Sequence, residues 1–156
     1  MKYRLAALLT LLLAGAALAP LTAAARGSGA GSVAARAPTV RLEQAGVGEI
    51  LADGSGHTLY MFTRDRHDKD SCARLSGCLE AWPALSTTRK PVAGAGVRAS
   101  LLGTIELRGR VRQVTYAGHP LYSYALESLR KSTFNIGAYE YGGEWLALGA
   151  DGKPVD

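Results

Sequence analysis

Acids recur at matching places in this chain. Asp65 follows Tyr60 and Phe62 at the spacing with which Glu127 follows Tyr122 and Tyr124. Two carboxylates brought face to face can do general acid and base work, the chemistry of a carboxylate-dependent hydrolase. The competing role is structural, since an acid at a strand end accepts backbone N–H bonds and fixes the loop that follows. His57 and His119 also stand at equivalent positions, where they can pair on a metal or haem or hydrogen-bond locally. Cys72 and Cys78 read as a local disulfide in an exported chain. Their alternative is a zinc or copper site shared with His67 and Asp68 or Asp70, although no second cysteine pair completes a tetrad. Asp65, Asp68 and Asp70 lie within six residues and offer oxygens to calcium, yet the central glycine and closing glutamate of an EF-hand are missing. Arg64, Arg66 and Lys69 balance those charges, which favours a solvated loop.

No Ser-His-Asp order, glycine-rich phosphate loop or HExxH pattern is present. A non-catalytic module without cofactor is therefore the leading reading. A metal-binding or redox-associated protein holding a transition metal or calcium is the alternative, and the hydrolase comes third.

These residues sit in strand-like surroundings. From Val47 onward, short apolar runs rich in β-branched and aromatic residues alternate with glycine-containing turns. Residues 47–52 and 57–63 read as one hairpin around Asp53-Gly54-Ser55-Gly56, and residues 111–116 and 119–125 as another around Ala117-Gly118. Tyr60 and Phe62, like Tyr122 and Tyr124, are two apart and share a strand face.

The hairpins belong to an internal repeat. Gly56-His57-Thr58-Leu59-Tyr60-Met61-Phe62 returns 62 residues later as Gly118-His119-Pro120-Leu121-Tyr122-Ser123-Tyr124. Trp82-Pro83-Ala84-Leu85 returns 63 later as Trp145-Leu146-Ala147-Leu148, and Lys90-Pro91-Val92 as Lys153-Pro154-Val155. The expected fold is mostly β, two tandem β-hairpin repeats (residues 47–92 and 109–155) packed into one small domain with pseudo-twofold symmetry. Trp82 and Trp145 are its expected core.

The N-terminus argues for export. Lys2 and Arg4 precede an apolar run closed by Pro20 and Ala23-Ala24-Ala25, the order of a signal peptide over residues 1–25 cleaved near Ala25. Residues 26–45 read as a flexible leader and residues 46–156 as the two-repeat domain. Loss of Lys2 and Arg4 lowers the formal charge from +5 to +3, too little for a nucleic-acid partner. No cysteine follows the apolar run to carry a lipid anchor. The expected location is secreted or periplasmic, with a cell-envelope partner or small ligand whose identity and oligomeric context the residues do not specify.

Tyr60-Met61-Phe62-Thr63-Arg64-Asp65 resembles the Tyr-x-aromatic-x-x-Asp motif of a bacterial secreted-repeat family of predicted lipoproteins. Tyr122-Ser123-Tyr124-Ala125-Leu126-Glu127 keeps both aromatics with Glu for Asp, and Cys72, Cys78 and Trp82-Pro83 are similar to the family's paired cysteines before Trp-Pro. Wider cysteine spacing, the missing anchor cysteine and residues 128–133 in place of a Pro-Gly-Asp-rich loop depart from it. The resemblance implies an exported repeat architecture and leaves the activity open.

Overall fold

Glycine turns and period-two burial organise the chain into short strands, seen in a computed structural model that describes residues 37–155. The expected signal peptide over residues 1–25 and residues 26–36 of the expected leader lie outside the described residues. The strands are β1 (Thr39–Ala45), β2 (Gly48–Asp53), β3 (Tyr60–Phe62), β4 (Ser86–Thr87), β5 (Val92–Ala93), β6 (Leu102–Arg108), β7 (Val111–Tyr116), β8 (His119–Pro120), β9 (Ala138–Glu140), β10 (Gly143–Leu148) and β11 (Pro154–Val155). They form three small sheets, ordered β2-β1-β5, β11-β10-β3 with β9 on β10, and β4-β7-β6 with β8 on β7. Among the described residues, one α-helix, α1 (Cys78–Ala81), and 3-10 turns at Cys72–Arg74 and Ala99–Leu101 accompany the strands. Among the described residues no helix is long and apolar enough to cross a membrane.

Two features differ from the sequence expectation. The segment 26–45 is not flexible leader throughout, because its last seven residues are β1, antiparallel to β2 from Val40↔Asp53 to Ala45↔Gly48. Val40 is fully buried and Leu42 packs against the core, so two apolar residues at period two suffice once β2 supplies the hydrogen bonds. The second difference is the extent of the hairpin after β2. Its turn closes through Gly56 N–H to Asp53 O and Asp53 N–H to His57 O, but pairing with β2 ends at Leu59, whose N–H bonds Leu51 O. Beyond it, β3 leaves to pair with β10. The corresponding β7 return is similarly short, ending with Leu121 N–H on Val114 O.

Side-chain alternation along β3 divides the core. Leu59 and Met61 enter an aliphatic cluster with Val40, Leu51, Val114 and Leu148. Tyr60 and Phe62 enter an aromatic one with Trp82, Tyr122 and Trp145. In the latter, Trp82 and Trp145 stack with ring centroids 4.0 Å apart and planes within 2°. Phe62 covers the outer face of Trp145 at 4.3 Å, and Tyr124 packs on Trp82 at 4.7 Å. Tyr60 meets Trp82 edge-on and Tyr122 meets Trp145 edge-on, each at 5.2 Å. Such aromatic pairs each add about 0.5–1.5 kcal/mol beyond the area they bury.

Cys72 and Cys78 are joined in a disulfide against this cluster, with Cα atoms 5.4 Å apart. Closing so short a loop removes little unfolded-chain freedom, about 2 kcal/mol. Replacing Trp82 or Trp145 by Ala is expected to cost about 3–5 kcal/mol each in urea unfolding. The double variant should lose less than the sum, because either substitution already abolishes the shared stack. Strict additivity would show that the rings do not support one another.

Candidate functional site

Tyr60 and Tyr122 face each other across an antiparallel bridge and exchange both backbone hydrogen bonds, each 2.9 Å long. A tryptophan-bearing segment flanks each of them. On β10, Trp145 lies opposite Phe62 and Ala147 opposite Tyr60. Beside the other tyrosine, Ser123 N–H bonds Pro83 O at 3.0 Å, Ala125 N–H bonds Ala81 O at 2.9 Å, and Ala84 bridges Tyr122. The first tryptophan segment thus runs beside the second tyrosine motif, and the second segment beside the first motif.

The acids follow the same crossing. Tyr60 donates its hydroxyl hydrogen to Glu127 Oε1 at 2.9 Å, and Tyr122 Oη lies 2.8 Å from Asp65 Oδ2. Each acid is fixed from behind. Asp65 Oδ1 accepts the Ser71 N–H at 2.6 Å, and Asn135 Nδ2 donates to Glu127 Oε1 at 3.4 Å. Asp65 and Glu127 therefore do not share one site as a facing dyad, since each engages a different tyrosine, that of the other motif. The carboxylates that do share a partner are Asp65 and Asp70. Asp70 Oδ1 also lies 2.8 Å from Tyr122 Oη and accepts the Ala73 N–H, while its Oδ2 is buried without a partner.

One hydroxyl carries one hydrogen. Two carboxylate oxygens at 2.8 Å from Tyr122 Oη can both hydrogen-bond to it only when one carboxyl is protonated. Burial, followed by the Asp70 charge, pushes the Asp65 carboxyl up to about 6 against the pull of Ser71 and Tyr122 hydrogen bonds. Burial and neighbouring carboxylates likewise raise both tyrosine hydroxyls far above their ordinary range, so they remain protonated donors.

The segment around these acids is not the charge-balanced loop its composition suggests. Arg64, Arg66 and Lys69 form no ion pair with Asp65, Asp68 or Asp70 among the described residues, because Asp65 and Asp70 turn inward while Asp68 meets His67 at 3.2 Å. Asp68 and Lys131, 63 positions apart, both adopt φ 55°. The Asp68 N–H bonds Gly118 O at 2.7 Å and the Lys131 N–H bonds Gly56 O at 2.9 Å. Gly118 has φ 81°, and a Cβ there would strike the His67 ring, so both its backbone and the close approach require glycine.

The histidines have local partners or surroundings. His57 lies 3.4 Å from Asp53, and half-buried His119 has its pKa lowered by burial and then by nearby His67. Among the described residues no three His, Cys, Asp or Glu side chains gather as a metal site, so His57, His67, His119, Asp68 and Asp70 form no such set. Glu140 was not singled out by the motifs, yet its Oε2 accepts the Trp82 Nε1–H at 2.7 Å. The counterpart nitrogen of Trp145 is buried without a partner.

Residues 44–86 match a family described as a secreted repeat of unknown function. That span carries the first tyrosine motif, the disulfide and Trp82. No curated protein and no solved structure matches the chain.

Protonation of Asp65 is favoured by folding, since its value rises from 3.8 to about 6. Its contribution is complete below about pH 4 and is lost as pH climbs through 6. Thermal melting of the wild type should therefore gain stability between pH 7 and pH 5 relative to Asp65→Asn, which has no proton to bind there. Parallel melting profiles for the two proteins would contradict the shared proton.

Proposed function

We propose that this protein is a non-catalytic extracytoplasmic module of two tandem repeats, related by an approximate twofold axis between Tyr60 and Tyr122. The family description supports the secreted setting. The observation that carries the reading is reciprocal: Tyr60 holds the acid of the second motif, Glu127, and Tyr122 holds the acid of the first, Asp65. Supporting it, Trp145–Phe62 and Trp82–Tyr124 are matching contacts, as are the Asp68–Gly118 and Lys131–Gly56 backbone bonds. A catalytic pair needs two groups of different tuning at one reacting centre. Here each motif acid is spent on a tyrosine and on anchoring its own loop, which is structural work. The module holds its loops on a cross-braced aromatic centre and presents them to a cell-envelope partner or small ligand.

Double-mutant cycles test the bracing. Tyr60→Phe and Glu127→Ala should each lower stability, with a coupling of about 1 kcal/mol between them. Tyr122→Phe should cost more, about 1–3 kcal/mol, because it leaves Asp65 and Asp70 facing each other without the hydroxyl. Independent effects of Tyr60 and Glu127 on melting, or an activity lost with Glu127 while stability is kept, would overturn the structural role.

A further inference from the structure

Beside the inward-turned acids runs an open groove of about 890 Å³, walled by the segment from Arg64 to Arg74 on one side and by Ile105, Glu106 and Leu107 of β6 on the other. Bases and acids nearly alternate along that segment, and Asp68 and Asp70 line the groove together with the bases. Asp65 and Asp70 are drawn inward to Tyr122 and to the N–H groups of Ser71 and Ala73. Arg64, Arg66, Lys69 and Arg74 line the groove, and none of the four forms an ion pair among the described residues.

We infer that this groove binds a linear polymer of phosphate groups. Three of its four cations are guanidiniums, whose planar forks match phosphate oxygens two at a time. Their backbone is held before any ligand arrives. Ser71 Oγ donates to Arg64 O, Lys69 N–H bonds Arg66 O, and the disulfide clamps the segment's exit, while the Arg64 guanidinium is itself held by donating Nη1–H to Tyr141 O. A preformed row of cations spares the ligand most of the ordering cost. The volume lies at the upper end for ligand pockets, but the lining is charged where small apolar ligands need hydrophobic walls. Glu106 on the β6 wall and Asp68 and Asp70 on the segment are opposing charges that weaken anion binding, leaving four cations against three carboxylates in the lining.

The inference names a ligand class for the module proposed above, and it stands on the groove whether or not the two repeats share an axis. Calorimetric titration of the exported protein at physiological salt, with inorganic polyphosphate in one arm and a glycerol-phosphate polymer in the other, tests it. Saturable binding is expected. Polyphosphate alone would assign a free phosphate chain, and the glycerol-phosphate polymer would assign an envelope polymer. Arg66→Ser with Arg74→Ser should weaken binding at least about tenfold, the scale of losing charge-assisted hydrogen bonds, and Glu106→Gln should strengthen it. Both variants change exposed side chains and should melt like the wild type. Absence of binding in both arms, undiminished binding by the double arginine variant, or equal affinity for a single-stranded oligonucleotide of the same charge would overturn the inference. The tyrosine–acid cycles would be unaffected by any of these results.

Discussion

A tyrosine hydroxyl buried among tryptophans must find an acceptor, and this requirement organises the molecule. Tyr60 and Tyr122 are fully buried beside Trp82 and Trp145, so leaving either hydroxyl unpaired would cost about 1–3 kcal/mol. The nearest motif acid cannot serve its own tyrosine, because it lies past the end of that strand and heads the next loop. Each hydroxyl is met by the acid of the opposite motif instead. Meeting that acid fixes where its loop begins, and the Asp68 and Lys131 backbone bonds fix where each loop crosses the other motif's glycine turn.

The tryptophans impose the same crossing on the backbone. Segment 82–85 completes the hydrogen bonding of the second tyrosine strand, and β10 completes that of the first. Neither motif strand is saturated by residues near it in sequence. Stability is thereby concentrated in long-range contacts, which resist local fraying once formed but require closure of long loops during folding.

Much of this centre was legible because the repeated residues are those whose side chains meet. Tyr60, Tyr122, Trp82 and Trp145 stand out in sequence and pack together in space. What sequence could not supply was partner choice. Repetition makes Asp65 and Glu127 equivalent without saying that each leaves its own motif, and that exchange separates two braces from one catalytic dyad. β1 was hidden for a different reason. Thr39–Ala45 carries only Val40 and Leu42 as strong apolar signals, and its strand character comes from pairing with β2 and β5. The roles of Asp70 and Asn135 were invisible because they sit in loops whose lengths differ between the two halves, and that of Glu140 because the short strand β9 that it ends carries no repeated motif.

Those loops are where the matching ends. Gly77, 63 positions before Glu140, has no side chain to satisfy an indole, and Trp145 Nε1 accordingly lacks the acceptor that Trp82 Nε1 finds. The first loop is clamped by the disulfide and presents a row of cations. The second, pinned by Thr58 Oγ1 donating to Ser132 O at 2.6 Å, presents Leu126 and Phe134, which are 81% and 86% exposed. Side chains that brace the centre recur, whereas side chains that face outward have diverged in charge and polarity. A shared structural demand keeps the former alike, while nothing in the fold requires the outer faces to be the same.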